Sequence, residues 1–359
     1  MKIRIGSRGS DLALTQSRYV AERLRQLPEQ PEVDIEIIRT SGDRIIDVSL
    51  REAGAQIDGK GLFTKELEDA LLEDRIDLAV HSYKDLPSLM PDGLCIAAVP
   101  QRVEVEDLLI FPRERRARAA APFLPPGARI GTSSVRRQAL LAHRFADLSI
   151  VELRGNVPTR ILRLMEDRPD RPDGILLARA GVERLEAAGV FARDEALAEL
   201  WAKLEKHVLA PDLFPPAPAQ GALAIQTREA DASTRAVVAR LHDAQAEECL
   251  GAERAVLAAL EGGCHLPLGA LCAKNDRGEF GLHVFLGAEA EDNRKGASFY
   301  MYREAHTARD LAERVVREIR TPLPVVLPGR EEREAELHQT HPETIALPLL
   351  STEAPLAGA

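Results

Sequence analysis

Apolar positions along this chain fall into short runs and longer helical stripes that alternate through most of its length. Lys2 to Ile5 alternate with a period of two, which predicts a strand. The polar turn Gly6-Ser-Arg-Gly-Ser10 follows. Ala13, Val20, Leu24 and Leu27 then recur at helical spacing, with Ser10 placed to cap that helix. Val33 to Ile38 predicts a second strand, and Gly59-Lys-Gly61 opens a helix that runs through Leu72. Leu78 to Val80 differs in kind, being apolar without alternation, the pattern of a strand buried on both faces of a parallel sheet. It stops at His81, Ser82, Lys84 and Asp85, and Pro87 prevents its continuation as a central strand. Cys95 to Val99 gives one more strand, and residues 100–107 read as a linker.

A second stretch repeats this grammar with more arginine. Residues 113–118, with Pro122, Pro125 and Pro126, read as a charged, proline-bounded loop. Ile130 leads into Gly131-Thr-Ser-Ser134 and a helix beginning near Val135-Arg-Arg137. Ser149 to Leu153 leads into Arg154-Gly-Asn156 and a helix carrying Arg160, and Gly174 to Ala178 into a helix carrying Arg184. After a proline-rich connector at 211–218 come a turn and buried strand, Ala219 to Ile225, and a helix from Glu248 to Leu260 stopped by Glu261-Gly-Gly263. Three further strands (Leu266 to Cys272, Phe280 to Leu286, Ser298 to Tyr302) and a last helix, Ala308 to Ile319, make a small α+β unit. The class expected is therefore α/β with a smaller α+β domain.

Composition narrows the classes of function. The 359 residues allow two or three domains, and 45% hydrophobic with 29% charged residues is a soluble globular mix. No apolar run approaches the ~20 residues a membrane span needs. The start, Met-Lys-Ile-Arg-Ile, passes straight into strand alternation, so a cytoplasmic protein is expected. A net charge of −10 argues against general nucleic-acid binding. Cys95, Cys249, Cys264 and Cys272 lack paired CxxC spacing, so neither a metal site nor a disulfide framework is suggested.

Ligands in open α/β sheets bind beyond the carboxyl ends of the strands, which is where Asp85 and Lys84 fall. A turn carrying a surface ion pair would show the same residues. The strand–Gly–turn–helix around Arg8 is a ready anion site, although the GxGxxG spacing of a dinucleotide fold is missing. Lys60 reaches an anion from a glycine loop or is simply solvated. Three successive units put arginine at or just after a strand's carboxyl end. Arginines on solvated helix faces would scatter instead, so the clustering predicts a basic cleft for a polyanion. Cys264 follows a glycine turn, which makes it accessible and open to a lowered pKa, although most lone cysteines are buried and inert.

Taken together, seven stretches resemble the porphobilinogen deaminase (hydroxymethylbilane synthase) family. They are Gly6-Ser-Arg-Gly-Ser10 with Leu12-Ala-Leu14, Gly59-Lys-Gly-Leu-Phe63, His81-Ser-Tyr-Lys-Asp-Leu-Pro87, Gly131-Thr-Ser-Ser-Val-Arg-Arg-Gln138, Leu153-Arg-Gly-Asn-Val-Pro-Thr-Arg160, Gln220-Gly-Ala222 and Leu260-Glu-Gly-Gly-Cys264. They occur in family order across roughly residues 3 to 320. The resemblance implies two periplasmic-binding-protein-like α/β domains around a cleft, 1–103 with 219–240 and 104–218. It also implies an α+β domain at 241–324 with the cysteine loop, and a C-terminal extension at 325–359. The implied cofactor is a dipyrromethane held by a thioether to Cys264. On it, four porphobilinogen molecules are joined head to tail with loss of ammonia, and hydroxymethylbilane is released by hydrolysis for tetrapyrrole (haem-type) synthesis.

By the same resemblance Asp85 is the catalytic carboxylate that stabilises cationic azafulvene-like species. Cys264, Lys84, Ser134, Arg136, Arg137 and Arg154 hold the cofactor, and Arg8, Ser10, Lys60, Arg154, Arg160, Arg184 and Gln220 bind substrate. The expected partner is porphobilinogen alone, with no nucleic acid or membrane, and the enzyme is expected to be a monomer. Gln56, Ala219 and His265 depart from the family pattern. The tail from Val325 faintly resembles the opening of uroporphyrinogen-III synthase but is too short to be that enzyme. A solute-binding module would account for the arginines but not for the cysteine loop. An inactive paralogue would not need to keep both Asp85 and Cys264.

Overall fold

The computed structural model describes residues 1–40, 64–116, 126–145, 147–260, 266–287 and 298–320. Lys60, Gln56, Cys264, His265, the helix start at 59–61 and the tail from 321 lie outside the described residues.

The first sheet contains β1 (Lys2–Ser7), β2 (Glu32–Ile37), β3 (Leu78–Ser82), β4 (Leu94–Ala98) and β10 (Leu223–Arg228), in the order β2-β1-β3-β10-β4. β1 runs parallel to β2 and β3, whereas β10 lies antiparallel between β3 and β4. The sheet is thus mixed, and β3 has a parallel neighbour on one side only. Ile3, Ile5 and Leu78 have no exposed surface, and burying each such side chain contributes ~1.5–3 kcal/mol.

The second sheet repeats the plan. β5 (Asp107–Pro112), β6 (Arg129–Gly131), β7 (Ser149–Val151), β8 (Gly174–Ala178) and β9 (Leu204–Leu209) take the order β7-β6-β8-β5-β9. Here β6 is parallel to β7 and β8, and β5 is antiparallel to β8 and β9. In each sheet the antiparallel insert is the strand that arrives from the other sheet. β5 follows the stretch that leaves β4, and β10 follows the proline-rich stretch after β9. Two chain crossings therefore join the lobes, and the stretch read as a linker is the first of them. It ends at Asp107, which opens a strand buried along its whole length.

The third sheet is an antiparallel meander of β11 (Leu268–Lys274), β12 (Phe280–Leu286) and β13 (Phe299–Ala305). Helices Ala244–Ala259 and Ala308–Arg320 cover it, and Val256, Leu282, Val284, Leu311 and Val315 are fully buried between them. The α/β plus small α+β architecture expected from the pattern is the one found. Among the described residues no helix is long and apolar enough to cross a membrane.

Candidate active site

β3 delivers its chemistry at its carboxyl end. His81 is buried, with Nε2 3.0 Å from Gln226 Oε1 on β10. Burial pushes its pKa down to about 4; the Gln226 bond opposes the shift and the Arg8 charge adds to it. Gln16 donates to Ser82 Oγ at 2.8 Å, fixing the last strand residue. A single 3₁₀ turn, Tyr83–Asp85, then leaves Asp85 exposed and Lys84 half-buried.

Lys84 Nζ donates to Gln220 Oε1 at 3.2 Å, and Gln220 Nε2 donates to Asp107 Oδ1 at 2.9 Å and to the Val105 carbonyl at 2.7 Å. Asp107 is wholly buried and receives two guanidiniums. Arg136 Nη2 lies 2.7 Å from Oδ2 and Arg137 Nη2 2.8 Å from Oδ1. Arg136 Nη1 also donates to the Pro215 carbonyl and Arg137 Nη1 to that of Leu176. The Nε atoms of both arginines are buried and have no partner. Burial pushes Lys84 down to about 8, and Arg137 and Arg136 add to that while Asp85 and Asp107 oppose it.

Arg160 joins the same field. Burial lowers its pKa to about 10, Arg137 and Arg154 push in the same direction, and Asp85 opposes them. Arg160 Nε donates to the Gly155 carbonyl at 2.7 Å, and Arg154 Nε to Glu152 at 2.7 Å. Lys84, Asp85, Arg136, Arg137, Arg154, Arg160 and Gln220 therefore form one connected group, with Lys84 and Asp85 after β3 of the first lobe, the four arginines after β6 and β7 of the second, and Gln220 on a crossing between the lobes. Arg184 stands apart: it donates to the Gly221 carbonyl at 2.9 Å and feels Tyr19 and Glu104. Arg8 acts on His81. Ser10 and Ser134 are helix caps, their hydroxyls accepting from the amides of Ala13 and Arg137 at 3.4 Å each.

The crossing that carries Gln220 is tightly built. Gly221 has φ +88, and a Cβ there would come within 2.7 Å of the Val103 and Glu104 carbonyl oxygens, so only glycine fits. Ala219 is left-handed at φ +62, a position that suits glycine better. Its amide donates at 2.7 Å to Glu253, which is fully buried and also holds Arg102 and the Cys272 amide. The residues read from the sequence pattern do not include Asp107, Gln226, Glu253 or Arg254, and they include His81 only as the end of a strand. Asp107 had a readable signal, an acidic residue opening the apolar run Leu108 to Phe111, opposite a pair of arginines at a helix start.

Chemically, the group offers fixed cations with fewer carboxylates and one exposed carboxylate, Asp85, in their midst. Such an arrangement has the chemistry to bind organic polyacids and to stabilise positive charge developing beside a carboxylate. A cavity lined by Tyr19, Arg23, Arg240, His242 and Asp243 holds none of these residues.

Comparison with known proteins matches residues 3–236 to the family described as porphobilinogen deaminase, dipyromethane cofactor binding domain, and residues 247–320 to porphobilinogen deaminase, C-terminal domain. A protein named porphobilinogen deaminase from Syntrophotalea carbinolica is 47% identical over 268 residues, covering 75% of this chain and 77% of that one. One of the same name from a Geobacillus species is 42% identical over 80% of this chain and 85% of its own. Another, from Geobacillus kaustophilus, is 39% identical over 88% of this chain and 98% of its own.

Proposed function

The chain belongs to the porphobilinogen deaminase family, a transferase of tetrapyrrole synthesis with a dipyrromethane cofactor, and from that premise we propose how its own residues do the work. The residues present suit the cofactor. The buried, unpartnered Nε atoms of Arg136 and Arg137 are donors in want of acceptors, and the cations around Lys84 and Arg160 outnumber the carboxylates among them. Pyrrole acetate and propionate groups supply the missing anions. Cys264 is the proposed thioether site, with Lys84, Ser134, Arg136, Arg137 and Arg154 around the cofactor. Bound there, the dipyrromethane supplies the pyrrole terminus to which porphobilinogen units are added.

Arg8, Ser10, Lys60, Arg154, Arg160, Arg184 and Gln220 are proposed for the incoming porphobilinogen and the growing chain. Arg160 is the best placed, because burial and neighbouring guanidiniums make it favour an added carboxylate. Gln220 serves through Lys84 and Asp107, which its amide joins.

Asp85 is the catalytic carboxylate in this reading. Loss of ammonia from porphobilinogen leaves a cation whose charge is shared with its pyrrole N–H. A carboxylate hydrogen-bonded to that N–H stabilises the charge as it forms. The observation that carries the assignment is that Asp85 stands exposed at a buried strand's end, within the field of Lys84 from one lobe and Arg160 from the other.

The units are proposed as 1–103 with 219–240, 104–218, 241–324 and an extension at 325–359, in a cytoplasmic monomer. In support, β10 rejoins the first sheet, and Asp243 begins the helix of the third unit.

The test is single-turnover ammonia release by wild type, Asp85→Asn and Asp85→Glu at matched cofactor occupancy. Removing a stabiliser of this type costs ~10²–10³ in rate. Asp85→Asn should lose at least that, and Asp85→Glu less, because it keeps the charge. Release by Asp85→Asn near the wild-type rate would move the catalytic carboxylate elsewhere.

A further inference from the structure

Arg254 lies on helix Ala244–Ala259, in the unit that also carries Cys264 in sequence, and it reaches back to the first lobe. Its guanidinium donates to three main-chain carbonyls of the turn that bears Asp85. Nη2 is 2.6 Å from the Pro87 oxygen, and Nη1 is 3.3 Å from Leu86 and 3.4 Å from Tyr83. The flat face of the same group lies over the Tyr83 ring, 4.4 Å from its centroid. Tyr83 and Leu86 bracket Lys84 and Asp85, so these contacts clasp the turn on both sides of the two reactive groups. Within the turn itself, the 3₁₀ segment is held by the Leu86 amide on the Tyr83 oxygen at 3.3 Å. A single turn of this type is weak alone.

We infer that Arg254 is a positioning residue for the deaminase reaction, holding the Asp85 turn in register with the helix that precedes Cys264 in sequence. The inference rests on the reading of Asp85 as the catalytic carboxylate. An arginine beside the Asp85 turn invites a different role, direct capture of a substrate carboxylate. Its hydrogen-bonding edge faces main-chain carbonyls and its face covers Tyr83, so the protein itself occupies this group. Burial lowers its pKa, with the Tyr83 hydroxyl opposing, which fits a side chain enclosed by protein. Arg254 thus links the unit that carries Cys264 in sequence to the turn whose carboxylate must be aligned with the reacting pyrrole. A small error in that alignment is expensive, since a ~1 Å misplacement can cost ~10²-fold in rate.

The test compares wild type, Arg254→Gln, Arg254→Lys, Asp85→Asn and the double variant Asp85→Asn/Arg254→Gln. Cofactor occupancy is read by intact mass, melting by circular dichroism, and kcat and KM for porphobilinogen by steady-state turnover. Arg254→Gln should keep full occupancy and a KM within about two-fold of wild type, while kcat falls ~10–10²-fold. Arg254→Lys, which keeps the cation over Tyr83, should recover part of that loss. The double variant should be no slower than Asp85→Asn alone, because a misaligned group that is already disabled loses nothing more. A raised KM at unchanged kcat would make Arg254 a substrate ligand and overturn the inference. So would multiplicative losses in the double variant, or a parallel fall of kcat, occupancy and melting temperature. Wild-type turnover by Arg254→Gln beside a crippled Asp85→Asn overturns the inference alone. Wild-type turnover by Asp85→Asn removes the reading of Asp85 and the inference with it.

Discussion

Arg137 Nη2 meets Asp107 Oδ1 at 2.8 Å with both side chains buried, and Arg136 takes the other oxygen at 2.7 Å. One carboxylate thus anchors two cations, and the trio keeps a surplus positive charge. Burial pushes the Asp107 carboxyl up, but the two guanidiniums overcome it and hold the group well below the usual carboxylate range. The arginines are thereby fixed before any ligand arrives, which is what electrostatic preorganisation requires.

Asp107→Asn should therefore destabilise the fold. Removing one partner of a buried pair costs ~3–5 kcal/mol, because the remaining charge is left uncompensated. Equilibrium denaturation of the two proteins measures the difference. An unchanged midpoint and slope would mean that the arginines find other acceptors.

Cys264 is expected to be the sole point of cofactor attachment. Cys249 and Cys272 are buried in the core of the third sheet, and Cys95 is half-buried beside Thr227. Intact mass should show a two-pyrrole surplus in wild type and in Cys95→Ser, Cys249→Ala and Cys272→Ala, and none in Cys264→Ser. An adduct on the Cys264→Ser chain would refute the assignment.

Much of this was legible because the elements that carry it are short and strongly punctuated. The Leu78 to Val80 run, Pro87 and the glycine turns fixed where strands end, and the arginines fall at those ends in the fold as in the pattern. β5 and β9 are not among the elements read from the pattern. Residues 108–111 carry the same unalternating apolar signal as Leu78 to Val80, but they lie between the stretch read as a linker and the charged residues 113–118, and β9 alternates weakly as an edge strand. The antiparallel inserts could not be read either, because the pattern of a strand does not say which neighbour it pairs with. Gln220 and Ser134 are expected as ligands through the family resemblance, and the structure adds contacts that resemblance does not mark: the amide joins Lys84 to Asp107 and the hydroxyl caps a helix. Partnerships across more than a hundred residues, such as Arg254 with the Asp85 turn, leave no local mark.

His81 predicts an acid sensitivity of the fold. Its pKa is about 4 in the folded protein against 6.5 ordinarily, because it is buried. Between those values the unfolded chain binds the extra proton. Stability from this group is present above about pH 6.5 and is lost as pH falls towards 4. A shift of that size amounts to ~3 kcal/mol as an upper bound. His81→Gln should be less stable at neutral pH yet show a flatter stability slope across that window. An identical slope in both proteins would assign the acid limb to other groups.

Lys84 predicts an alkaline limb with opposite signs for binding and for folding. Burial and the adjacent guanidiniums bring its pKa down to about 8 from 10.5. Its ammonium is fully charged only below that value, and an anionic substrate needs the charge. kcat/KM for porphobilinogen should fall as pH rises through about 8. Folding stability should move the other way. From about 8 to 10.5 the unfolded chain binds more protons than the folded one, so the cost of burying the charged amine is relieved as pH rises. Loss of activity with retained or improved stability would separate local titration of Lys84 from alkaline unfolding. Lys84→Arg keeps its charge to far higher pH, so its limb should move outward, and Lys84→Gln should have a low, flat kcat/KM across the range. Dividing each profile by that of wild type removes the substrate's own titration. If Lys84→Arg fell at the same pH as wild type, the limb would belong to another group.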